Sequence, residues 1–240
     1  MKKILIYGGS SFISLELLKL LYVKTDKFII FCRNKESFKN QVLKLNFNLE
    51  KFEINQVDLE NLQENFKLIE KANNIHGIFW VSGSTGDAKI EMLSSEECKK
   101  NININFFHPV LIINKLIKKL NKKNFTPFIV GITSVAGLRG RAKNMFYGSA
   151  KSAFISYLSG LRQKYNGEIN IITVIPGYIS TKNFNLSASS FLVTSPKDLA
   201  RKIINAVEKE KEIIYSNFFW KFIMLLIKLI PEKIFKKLKF

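Results

Sequence analysis

The chain has 240 residues, 47% of them apolar, which suits one α/β domain with a full-sized core and excludes a disordered chain. Its two cysteines, Cys32 and Cys98, provide neither a disulfide framework nor a metal-ligand cluster, so no metal is expected. The net charge of +19 comes from lysines scattered among Asn, Ile and Phe, with no nucleic-acid motif; it favours an anionic cofactor, substrate or membrane surface over nucleic acid.

Lys2 and Lys3 precede only the short run Ile4-Leu5-Ile6-Tyr7, too brief for a signal-peptide core, so this run reads as a first strand and the protein as cytoplasmic. Further short apolar runs predict strands at 28–32, 52–56, 77–81, 128–132, 169–175 and 212–215, after the first at 3–7. Amphipathic stretches between them predict helices at 12–22, 36–45, 59–72, 95–120, 145–165 and 196–209. This alternation predicts βαβ units in a doubly wound parallel sheet, one domain over 1–216 followed by an amphipathic tail over 217–240.

The chemistry lies at strand ends. After the first strand comes Gly8-Gly9-Ser10-Ser11-Phe12-Ile13-Ser14, a turn whose backbone amides and following helix N-terminus suit a pyrophosphate. Phe12 and Ser14 stand where second and third glycines are expected, so the loop also reads as a plain strand-to-helix turn. The second strand ends in Cys32-Arg33-Asn34 without an acid. An acidic residue there would hold the ribose hydroxyls of NAD, whereas an arginine meets the 2′-phosphate of NADP. Asp58, after the third strand, is placed to bond an adenine edge, to cap a helix beginning at Leu59, or both.

Ser134 closes the apolar strand 128–132, and Tyr147 and Lys151 follow it with i, i+4 spacing on a helix, so the last two share a face. A lysine ammonium beside a phenol is expected to draw its pKa down towards neutrality, giving a proton donor and acceptor for a carbonyl or alcohol. His76 and His108 lack triad partners and read as structural.

Taken with Gly83 after the fourth strand, Asn105 and Pro176-Gly177 with Thr181, these residues resemble the short-chain dehydrogenase/reductase family over nearly the whole chain. The resemblance implies a Rossmann-type fold and transfer of hydride between a nicotinamide and a carbonyl carbon, with NADPH preferred and NADH the alternative. It implies that Tyr147 is the general acid/base. Lys151 tunes Tyr147 and binds the nicotinamide ribose, Ser134 bonds the substrate oxygen, and Asn105 holds a water linked to Lys151. Gly8, Ser10, Ser11, Ile13, Arg33, Asp58, Gly83, Pro176, Gly177 and Thr181 would line the cofactor. A narrower resemblance, through residues 81–87, the run after Ser134 and the tail, is to the reductases of decaprenylphosphoryl-2-keto-pentose, which implies a keto sugar on a lipid phosphate. The competing class is a non-catalytic NAD(P)-binding scaffold of the same fold. Residues 182–194, where a substrate lid is expected, have no readable chemistry. A homo-oligomer is expected.

The tail carries Phe218, Phe219, Trp220 and Phe222 with six lysines and one glutamate over 217–240. Its apolar stretch is interrupted by Lys221 and Lys228, stopped by Pro231, and shorter than the roughly 20 residues that span a bilayer. Two readings fit it equally. It is a helix lying in the interface at the inner face of the cytoplasmic membrane, or one packed on its own domain or on a second subunit.

Overall fold

The computed structural model describes residues 2–86, 94–123, 125–180 and 190–238. In chain order the elements are β1 (Lys3–Tyr7), α1 (Phe12–Leu21), β2 (Lys27–Cys32), α2 (Lys35–Lys44), β3 (Phe52–Gln56), α3 (Leu62–Lys71), β4 (Gly77–Trp80), α4 (Ser95–Ile102), a π turn (Asn103–Phe107) and α5 (His108–Ile117). There follow β5 (Phe128–Ile132), α6 (Met145–Lys164), β6 (Asn170–Ile175), β7 (Tyr178–Ile179), β8 (Val193–Thr194), α7 (Pro196–Glu208), β9 (Ile213–Tyr215), α8 (Phe218–Leu229) and α9 (Glu232–Phe235).

Seven strands pair in parallel in the order β3-β2-β1-β4-β5-β6-β9. The central strands are apolar on both faces, as a sheet covered on both sides requires. Ile4, Ile6, Phe28, Ile30, Val130 and Ile172 meet Leu17 and Leu18 of α1 and Leu199 and Ile203 of α7 on one side. Leu5, Tyr7, Ile29, Trp80, Ile129 and Ile171 meet α3, α5 and α6 through Ile69, Ile112, Phe154 and Leu158 on the other. The strand order reverses between β1 and β4, which places a crevice beyond their C-terminal ends.

Three boundaries differ from expectation for local reasons. The third helix starts at Leu62 because Asn61, not Asp58, accepts the capping bond, from the Glu64 N–H at 3.1 Å. The expected helix 95–120 is interrupted by the π turn. Pro109 has no N–H to give the carbonyl of Asn105, and its ring crowds that carbonyl, so the His108 N–H reaches back to Asn103 instead. Tyr178–Ile179 and Val193–Thr194 form a small parallel sheet that the sequence does not announce, two residues per strand being too few for periodicity to show.

The tail lies on the domain. Trp220 and Met224 of α8 are buried against Val135 and Ile175 at the ends of β5 and β6. Arg139 donates to Glu232 at 2.6 Å and to the Ile230 carbonyl at 3.2 Å, and its guanidinium stacks over the Phe235 ring at 4.3 Å. The inner half of α8 therefore follows the self-packed reading. No helix among the described residues is long and apolar enough to cross a membrane.

Candidate active site

The β1–α1 turn is tightened around Gly8, whose φ of +88° favours glycine. A Cβ there would also fall 2.8 Å from Ser82, so the loops after β1 and β4 touch. The Gly8 and Gly9 N–H groups both donate to the Phe31 carbonyl, at 2.9 and 3.1 Å, and are turned towards β2 rather than the crevice. Ser11 caps α1 by accepting from the Ser14 N–H, and the fully buried Ser14 hydroxyl donates to the Gly8 carbonyl at 2.8 Å. Ser14 thus closes the turn with a hydrogen bond where a third glycine would close it by proximity. The N–H groups of Phe12 and Ile13 have no carbonyl partner inside the helix, and no acid stands in the first turn, so this end suits an anion.

Arg33 is exposed at the tip of β2, beside Asn34, which caps α2. The buried Cys32 thiol there is pushed up by burial and drawn back by Asn34, Ser10 and the charge of Lys35, so Ser10 faces this tip as well. Asp58 is exposed and accepts from the Glu60 N–H at 2.9 Å. These residues place the Arg33 cation and polar side chains at the C-terminal ends of β1, β2 and β3, where a guanidinium could hold an adenosine 2′-phosphate.

Ser134, Tyr147 and Lys151 come together across β5 and α6. Gly137 and Gly148 allow this: a Cβ on either would fall within 2.9 Å of opposing backbone, so the turn 135–138 lies flush on α6. Ser134 accepts from the Ala136 N–H at 3.1 Å and stands beside the Tyr147 phenol. Burial raises the phenol above its usual pKa, and the nearby Ser134 hydroxyl pulls it partly back. The buried Lys151 donates to the Ile132 carbonyl at 3.3 Å, and burial lowers its pKa to about 8. The expected direction at Tyr147 is therefore reversed. The Lys151 ammonium lies over the phenol ring, 5.7 Å from its centroid, and desolvation outweighs attraction. Tyr147 is a neutral phenol at pH 7, the form a proton donor needs.

Asn105 sits buried in the π turn, clamped to the chain after β4. Its amide donates to the Ser84 carbonyl at 2.7 Å, and its oxygen accepts from the Ser84 N–H at 3.1 Å. Gly83 lies between Asn105 and Lys151: a Cβ there would stand 3.0 Å from both side chains. Pro109, with no N–H, cannot give the Asn105 main-chain carbonyl its usual helical donor.

Pro176 accepts from the Val135 N–H at 2.9 Å, and the Gly177 N–H donates to the Ser216 hydroxyl at 3.0 Å, so this turn is fixed at the end of β6. Thr181 lies outside the described residues. Against Gly177 lies the indole of Trp220, which donates to the Leu192 carbonyl at 2.9 Å.

Residues 2–190 match the family described as short chain dehydrogenase. The chain belongs to the short-chain dehydrogenase family. Among curated members it is 26% identical over 171 residues to the ketoacyl reductase HetN of Nostoc, a match covering 67% of this chain and 59% of that one. It is 20% identical over 241 residues to an uncharacterised oxidoreductase of Mycobacterium tuberculosis, covering 98% and 96%. The chain spans about half the length of several curated relatives it matches (59%, 39% and 52% of the first three). A short chain dehydrogenase from Burkholderia cenocepacia, solved in complex with NADP, superposes with a TM-score of 0.79 over 100% of both chains at 14% identity, a likeness of fold.

The sequence reading missed three residues that border this family site. Ser82 packs on Gly8, Trp220 packs on Gly177, and Arg139 joins the turn after β5 to α9. Ser82 lies within a run already noted, but nothing local in Trp220 or Arg139 signals a contact so distant along the chain.

Proposed function

We propose that the chain is an NADPH-dependent carbonyl reductase in which Tyr147 is the general acid. The observation that carries this is the buried Lys151 ammonium set over the Tyr147 ring, 5.7 Å from its centroid, with Ser134 beside the phenol at the C-terminal end of β5 in a parallel sheet. NADPH, when bound, supplies the hydride. The chain does the rest. Ser134 and Tyr147 hold the substrate oxygen, and Tyr147 gives it a proton as the carbonyl is reduced. Lys151, with its pKa at about 8, is protonated at neutral pH and stabilises the phenolate left behind. Asn105 fixes Ser84 and, as the family resemblance implies, holds a water linked to Lys151 that returns the proton. Arg33 at the β2 tip favours NADPH over NADH.

For the substrate, the reading extends to a keto sugar carried on a lipid phosphate. It is supported by the likeness of residues 81–87 and the run after Ser134 to reductases of that kind, and by the apolar, basic tail. In this reading residues 1–216 carry the chemistry and 217–240 provide a peripheral contact with a membrane from the cytoplasmic side.

The test is Tyr147→Phe. Oxidation of NADPH by a panel of soluble ketones should fall by about 100-fold or more, the scale of lost general-acid catalysis, while NADPH still quenches tryptophan fluorescence with wild-type affinity. Near wild-type turnover would overturn the assignment.

A further inference from the structure

α8 is apolar on nearly every side. Its inner face, Trp220 and Met224, is buried. Its outer face presents Phe218 at 68% exposure, Leu226 at 65% and Leu229 at 71%, together with the exposed Phe219, Phe222 and Leu225. A helix apolar all round belongs in an apolar environment, and half of this one has none within the domain. The patch does not stop at the tail. Phe191, 53% exposed, meets the Phe219 ring edge-on at 5.3 Å. Its carbonyl accepts from Asn217, and the next carbonyl, of Leu192, accepts from Trp220, which lies on Gly177. Segment 190–194, α8 and the Pro176–Gly177 turn thus form one packed unit.

Charge selects the occupant. Lys221 and Lys228 flank the outer face, with Lys233, Lys236 and Lys237 exposed beyond it. At its N-terminal end Arg201 and Lys202 line a cleft of about 410 Å³ with Thr194, Asn217 and Asp198. A second copy placed face to face would bring these cations together, whereas an anionic bilayer takes the apolar side chains and pairs the cations at its headgroups.

We infer that the outer face of α8, continued by Phe191, docks on an anionic lipid bilayer, so that the segment bearing on the Pro176–Gly177 turn is itself part of the membrane contact. This deepens the peripheral contact proposed above and rests on it. A lipid-borne carbonyl would then reach the cleft without leaving the bilayer surface.

The test is co-sedimentation of the full chain with phosphatidylcholine vesicles with and without phosphatidylglycerol, at low and high salt. The wild type should sediment with the anionic vesicles, less so at high salt. Phe222→Asp with Leu226→Asp should weaken partitioning by at least about tenfold, and Phe191→Ser by several-fold, with NADPH binding unchanged in both variants as the check on folding. If the wild type binds and Phe191→Ser binds equally well, segment 190–194 is not in the contact and the inference fails while the peripheral reading stands. If the wild type stays in the supernatant with both vesicles at low salt, both fail. If it instead sediments as a dimer that the double variant dissociates, a second copy covers the face and the lipid contact is wrong.

Discussion

Replacing Gly177 by alanine is the sharpest probe of how the tail is joined to the site. Gly177 is not in the left-handed region, so the cost is not conformational. It is steric: the new Cβ would stand 1.9 Å from Trp220 Nε1 and 2.1 Å from Cε2, far inside contact distance. An indole is rigid, and this one is held by its bond to Leu192 at 2.9 Å and by packing on Val135, Ile175 and Met224, so it leaves its seat rather than shifting slightly. The loss approaches that of deleting a buried aromatic, about 3–5 kcal/mol, of which the hydrogen bond is about 1 kcal/mol. Urea unfolding should show this loss in Gly177→Ala. Once Trp220 is already alanine, adding Gly177→Ala should cost little, because the clash has gone. A loss under about 1 kcal/mol for Gly177→Ala, or two losses that simply add, would refute the argument.

Arg33→Ala should weaken NADPH by roughly tenfold, the scale of one charge-assisted hydrogen bond, and leave NADH nearly unchanged; fluorescence titrations showing equal losses would remove Arg33 from the 2′-phosphate. Lys151 gives a pH signature. Its folded pKa of about 8 lies below the usual 10.5, so between these values the unfolded chain binds more protons and stability rises with pH. Lys151→Met should therefore be more stable at pH 7, by up to about 3 kcal/mol, and the advantage should close as pH passes from 8 to 10.5. Urea unfolding of both chains along that range decides it, and a gap independent of pH would contradict the burial of the charge.

The strands were legible because each central one is a short apolar run covered on both faces, and Ser134, Tyr147 and Lys151 were legible because helical and strand-end spacing are local properties. What escaped was non-local or competitive. Asp58 and Asn61 are both capping residues within one turn, and only packing decides between them. The helix expected over 95–120 ran through Pro109 unbroken, because apolar periodicity does not register a missing N–H, and the chain passes there through a π turn. Spacing alone put Lys151 beside the Tyr147 phenol and could not weigh the burial that raises its pKa. Trp220 was legible as an aromatic tail residue, while its seat on Gly177 depends on where β6 ends relative to β9.

The union of Arg139 with Glu232, Ile230 and Phe235 changes what a deletion would mean. Cutting the chain after Ser216 removes more than an appendage. It strips the cover from Val135 and Ile175, leaves a guanidinium without its three partners, and unroofs the turn that follows Ser134. A shortened protein with poor turnover would report a collapsed wall as readily as a lost anchor. The tail's role in the cell is therefore best approached by changing the outward side chains one at a time, with the inward ones left in place.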